Sequence, residues 1–123
     1  MERARGIGGA FMKSSTPEAL KDWYVGMLGL PTDDDGYVVI PWRTVDGEVA
    51  TTTLGFFDAT TDYFPGPTML NFRVANLDAM LEQLRAAGVA VSDDVMEHPY
   101  GRFGWCTDPD GNKVELWEPI EGQ

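Results

Sequence analysis

Apolar residues recur at spacings of three and four in two places along this chain. Leu20, Trp23, Tyr24, Met27 and Leu28 form one stripe, and Leu77, Met80, Leu81, Leu84 and Ala87 form the other. That period marks one face of an α-helix packed against a core. Thr16 suits the cap of the first helix, with Pro17 at its first position and Glu18 in its first turn, and Gly29 suits its end. Asn76 caps the second, Asp78 lies in its first turn, and Gly88 stops it.

Around the helices the pattern changes to short extended runs. Residues 7–13 and 68–74 precede the two helices as strand candidates. Residues 36–42 and 49–57 follow the first, and residues 89–91, 95–98, 102–107 and 113–118 follow the second. Two turns echo each other, Val45-Asp46-Gly47-Glu48 and Pro109-Asp110-Gly111-Asn112. Asp-Gly between extended runs predicts a hairpin, because glycine supplies the positive φ such turns need. The order strand, helix, strands therefore occurs twice, at about residues 6–58 and 67–119, within one domain spanning 1–123. Residues 58–67, with Pro65-Gly66-Pro67, read as the connection. A helix of three turns cannot bury its stripe alone, so each is expected on one sheet face, leaving the other free to curl round a ligand.

Composition narrows the setting. The chain has 123 residues and a net charge of −11. That acidity repels nucleic acid and anionic membranes, favours solubility, and attracts cationic ligands at long range. No apolar run is long enough to span a bilayer. Met1–Gly6 carries two arginines with no apolar run behind them, unlike a signal peptide. The lone cysteine, Cys106, has no intrachain partner and reads as a small buried hydrophobe in a reducing, cytoplasmic setting.

Three segments carry a resemblance. Pro17-Glu18-Ala19-Leu20-Lys21-Asp22-Trp23-Tyr24 with Met27-Leu28-Gly29-Leu30 is similar to the first-helix signature of the glyoxalase/bleomycin resistance/dioxygenase (vicinal oxygen chelate) superfamily. Asn71-Phe72-Arg73-Val74-Ala75-Asn76-Leu77-Asp78 resembles its second-module strand and helix start. The run from Thr107-Asp108-Pro109-Asp110-Gly111 to Trp117-Glu118 is similar to its terminal hairpin. The resemblance implies an α+β fold of two βαβββ modules whose curved mixed sheet forms an open cup. It also implies a homodimer, for which Phe56, Phe57, Tyr63 and Phe64 offer apolar surface.

In metal-dependent members of that superfamily, His, Gln or Glu ligands project into the cup from the first and last strands of each module. Counting by position puts these at Gly9, Thr51, Met69 and Glu115. Glycine offers no side-chain donor and a thioether is a poor partner for ions that bind imidazole with carboxylate. Only Glu115 is a usual ligand. His98, the single histidine, either makes a makeshift pair with Glu115 or stays solvated in a loop. No metal or other cofactor is expected.

Strand alternation selects the side chains that face the cup. Gly9, Phe11 and Lys13 face it from the first strand, Met69, Asn71 and Arg73 from the second module's first strand, and Lys113, Glu115 and Trp117 from the last. Phe103 and Trp105 join them. The candidate ligand-binding set is Phe11, Lys13, Met69, Asn71, Arg73, Phe103, Trp105 and Trp117, which suits a flat or hydrophobic molecule. The same aromatics equally suit packing between modules. Arg73 either grips an anion or pairs with Glu115. Residues 100–105 read as a mobile lip or a β-bulge.

These readings favour a metal-free protein that binds a small organic molecule. The alternative is a metal-free enzyme with Glu115 as catalytic acid or base. A metal-dependent lyase or dioxygenase fits least.

Overall fold

The computed structural model describes residues 1–120. Strand β1 (Gly6–Ser14) leads into α1 (Pro17–Leu28), β2 (Val38–Arg43) and β3 (Val49–Asp58). Strand β4 (Thr68–Arg73) leads into α2 (Leu77–Ala86), β5 (Ala90–Val91), β6 (Met96–His98), β7 (Gly101–Thr107) and β8 (Lys113–Pro119). The strands form one mixed, curved sheet in the order β2-β3-β1-β4-β8-β7-β5, with β6 pairing to β7.

The two halves repeat one pairing scheme. β1 is parallel to β3, which is antiparallel to β2; β4 is parallel to β8, which is antiparallel to β7. β1 and β4 run antiparallel and join the halves. The echo extends to the turns. Gly47 N–H donates to Thr44 O at 2.9 Å and Thr44 N–H to Glu48 O at 2.9 Å. Gly111 N–H donates to Asp108 O at 3.1 Å and Asp108 N–H to Asn112 O at 2.9 Å. Both glycines have positive φ, 85° and 88°, a conformation open to a residue without Cβ.

Helix α2 is built as its sequence predicts. The Asn76 side chain accepts from Ala79 N–H, and Leu77 N–H donates to a Glu118 carboxylate oxygen at 2.8 Å. At the other end Gly88 N–H donates to Arg85 O and Val89 N–H to Leu84 O, the pair of bonds that closes a Schellman motif. Leu77, Met80 and Leu81 bury against Val74 and Leu116, flanked by Phe72, Val114 and Cys106. Burial pushes the Cys106 thiol pKa up, with Asp108 adding to the effect, so the thiol stays protonated and inert.

Helix α1 departs from expectation. Its stripe contains no buried residue, and Trp23, Met27 and Leu28 are exposed. Tyr24 alone makes a ring contact with the sheet, against Phe56. Thr16 occupies the cap position without a side-chain cap bond; its own N–H donates to Ser14 Oγ.

The irregularity in the sheet lies in β1, where the register with β4 shifts between Ile7 and Gly9. Strand β7 stays in unbroken register with β8 from Gly101 to Thr107, so the glycines of that segment make no bulge against β8. Phe64 is 1% exposed and so adds nothing to the surface expected of it, while Phe57 and Tyr63, which pack with it, are partly buried. Among the described residues no helix is long and apolar enough to cross a membrane.

Candidate functional site

Register brings the site together. Gly9 pairs with Asn71, Asn71 with Glu115, and Glu115 with Trp105, forming one row across four strands. Because opposed residues share a face, the Asn71, Glu115 and Trp105 side chains converge. Glu115 is 2% exposed. Its Oε1 accepts from Asn71 Nδ2 at 2.8 Å, and its Oε2 accepts from Trp105 Nε1 at 2.9 Å. The Tyr63 hydroxyl also donates to Oε2. A carboxylate removed from water is costly unless it is hydrogen-bonded, and three donors reach it here.

Tyr63 comes from the connection between the modules, which folds across this face of the sheet. Its ring stacks on Phe57 with centroids 5.6 Å apart and meets Trp105 edge-on at 6.3 Å. Lys113 Nζ donates to the Tyr63 carbonyl at 2.6 Å and lies 4.9 and 5.2 Å from the Tyr63 and Trp105 ring centroids. Phe64 packs with Met69 and Trp105, with Phe11 beside them. Burial first, then the bond to Glu115 and its charge, raises the Tyr63 pKa far above the ordinary phenol value. The hydroxyl is therefore held protonated.

Along the same strands, two residue pairs beyond Glu115, Arg73 lies opposite Trp117. Its guanidinium stands 4.9 Å from that ring and donates to the Thr51 carbonyl. Burial lowers its pKa. Arg73 thus lies over Trp117, and register sets it two residues along the strand from Asn71, the residue opposite Glu115. Phe103 stacks on Trp117 at 6.0 Å, and His98 meets Phe103 edge-on while its Nδ1 accepts from Tyr100 N–H. His98 is exposed, and the donors to Glu115 among the described residues are Tyr63, Asn71 and Trp105. Lys13 lies over Phe64 at 5.0 Å.

The residues expected to face the cup do share one face, yet they do not line a single open bowl. The connection fills its middle. What stays open is a cavity of about 250 Å³ beside Glu115, walled by Tyr63, Trp105, Met96, Val95, Lys113 and Asp94. A second cavity, about 270 Å³, lies at the far edge of the sheet against Phe11, Phe57, Tyr37 and Lys21. Tyr63 carries no periodic signal in the sequence; its one mark is an aromatic pair set between turn-forming residues. Met69, which the positional count reached, stands two residues before Asn71, the residue in register with Glu115.

Asn71 Oδ1 is, among the described residues, a buried polar side-chain atom without a partner. Its amide is turned so that Nδ2 serves Glu115. The space over Oδ1 belongs to Gly8, where a Cβ would come within 2.4 Å of it.

A metal ion does not fit this donor set. Among the described residues no three His, Cys, Asp or Glu side chains gather closely enough to hold one. The Glu115 oxygens face N–H and O–H groups, which present positive charge where a cation would have to sit.

The family model described as the Glyoxalase/Bleomycin resistance protein/Dioxygenase superfamily matches residues 11–116. The chain belongs to this superfamily. Among solved structures it is similar to methylmalonyl-CoA epimerase from Mycobacterium tuberculosis, with 24% identity and a TM-score of 0.66 over 95% of this chain and 89% of that one. A Streptomyces coelicolor methylmalonyl-CoA epimerase variant in complex with 2-nitronate-propionyl-CoA gives 18% identity and a TM-score of 0.68, covering 93% and 96%. A superfamily member from Vibrio splendidus gives 14% and 0.57, covering 94% and 97%. At these identities the likeness is one of fold. Among curated protein sequences none matches the chain significantly. Superfamily membership explains the paired modules and the shared face. It leaves the chemistry to the residues that occupy that face here.

Proposed function

We propose that this superfamily member binds a small organic molecule in the cavity beside Glu115, without a metal ion. The observation that carries this reading is the state of the Glu115 carboxylate, which already accepts from Asn71, Trp105 and Tyr63. A carboxylate so occupied holds the sheet and the connection together. The aromatic wall of Tyr63 and Trp105 gives a flat or apolar ligand surface to bury. The epimerases of similar fold include one in complex with a CoA ester analogue, which supports a small-molecule role for this face.

The test is a binding titration against a small-molecule library, repeated after exhaustive chelation, with elemental analysis of protein purified without chelator. Binding that survives chelation, is lost in Trp105→Ala, and accompanies substoichiometric Zn, Fe, Mn and Ni supports the reading. Near one ion per chain overturns it.

One observation favours a second reading, an enzyme using Glu115 as acid or base. Tyr63 both walls the cavity and bonds Glu115, so it links the carboxylate to a bound molecule. Glu115→Gln separates the two once circular dichroism and the urea midpoint show that the fold survives the loss of one acceptor: a binder of neutral ligands keeps its affinity, whereas an acid–base enzyme loses turnover. We also retain a homodimer in a reducing cytoplasm as the setting, with sedimentation velocity as the check on assembly.

A further inference from the structure

Lys113 sits in the cavity wall with no carboxylate of the described residues in ion-pair contact. Among the described residues its ammonium makes no ion pair, while Arg5, Lys21, Arg85 and Arg102 each do. Its single hydrogen bond goes to the neutral Tyr63 carbonyl, and its other neighbours are the Tyr63 and Trp105 rings. An ammonium carries three donors, so two are left. The group is half-buried and lines the open space. A partly desolvated cation with spare donors beside a cavity is a place for an anion.

We infer that the cavity takes a small aromatic or planar monoanion, its carboxylate on Lys113 and its flat body against Trp105, Tyr63 and Met96. The inference rests on the binding function proposed above and gives that site a ligand class. Asp94 stands exposed in the same wall, where solvent screens it; Lys113 offsets its repulsion for one carboxylate, while a second carboxylate has no cation to offset it. Size points the same way. The cavity of about 250 Å³ falls below the roughly 300–1,000 Å³ of sites for drug-sized molecules, so a single ring with one substituent is the scale that fits. The net charge of −11 favours cations at long range, and Lys113 reverses that preference at contact.

The experiment titrates the full chain, by tryptophan fluorescence and calorimetry, with three ligands of similar shape and different charge, benzoate, benzamide and benzylamine, and with the larger dianion phthalate. Benzoate is expected to bind about tenfold or more tighter than the other three. In Lys113→Met that preference over benzamide disappears while benzamide affinity holds, and in Lys113→Arg it is kept. Should Lys113→Met fold poorly, by circular dichroism and urea midpoint, the wild-type selectivity series decides alone. Benzamide or benzylamine binding as tightly as benzoate overturns the monoanion assignment and leaves the binding function standing. No binding by any of the four, with a library hit also absent, removes both.

Discussion

The Tyr63 hydroxyl donates to the Glu115 carboxylate, joining residues 52 positions apart. One bond thus ties the connection between the modules to the last strand of the sheet. It converts an open curved face into a covered one, with a side cavity where the cover ends. The arrangement also makes Glu115 a structural acceptor before it is anything else.

Removing that donor tests the tie. Tyr63→Phe keeps the ring against Phe57 and Trp105 and takes away one of the three hydrogen bonds to a buried carboxylate. The expected loss is about 1–3 kcal/mol of stability, read by urea denaturation. Hydrogen exchange should rise in residues 58–67 more than in α2, whose core this change does not touch.

The same tyrosine predicts an alkaline dependence. Its pKa is raised in the fold from the ordinary value of 10.0, so the folded state holds the proton more tightly than the unfolded one. The stability this contributes is fully present below pH 10 and is lost as pH rises from there towards the folded pKa. Urea midpoints measured from pH 8 to pH 11.5 should fall more steeply for the wild type than for Tyr63→Phe.

Gly8 is held by packing. An alanine Cβ there would stand 2.4 Å from Asn71 Oδ1 and 2.9 Å from the Trp117 ring. Gly8→Ala must push Asn71 away from Glu115 or shift β1, at a cost of about 1–3 kcal/mol. Its tryptophan emission should change as well, since Trp117 and the Asn71–Glu115–Trp105 row move with it. Wild-type emission and stability in this variant would show that Asn71 is placed by something else.

The two helices should answer mutation differently. Leu81→Ala empties a fully packed position of the α2 core and should cost about 2–5 kcal/mol. Met27→Ala in α1, where the side chain is 71% exposed, should stay within about 0.5 kcal/mol. Chemical denaturation of the two variants side by side is the measurement. Comparable losses would mean that the α1 stripe is covered in solution.

Much of the architecture is legible because its signals are local. Asn76 ahead of α2, Pro17 opening α1, and Asp-Gly in two hairpins each act through the conformation of a few neighbouring residues. Alternation, a period of two, assigns Asn71, Glu115, Trp105 and Trp117 to one face with no knowledge of their partners. The α1 stripe shows the limit of periodicity. It marks which side of a helix is apolar, whereas the amount of sheet beneath it decides how much is buried.

What the chain determined by itself is therefore the order of elements, the repeat, and the face on which each strand residue stands, since these follow from backbone geometry over a few positions. Only the folded structure decided that Asn71, not Met69, stands beside Glu115, that Arg73 goes to Trp117, and that Tyr63 closes the face. Those outcomes depend on strand register and on the path of a connection, both set by packing between segments far apart in sequence.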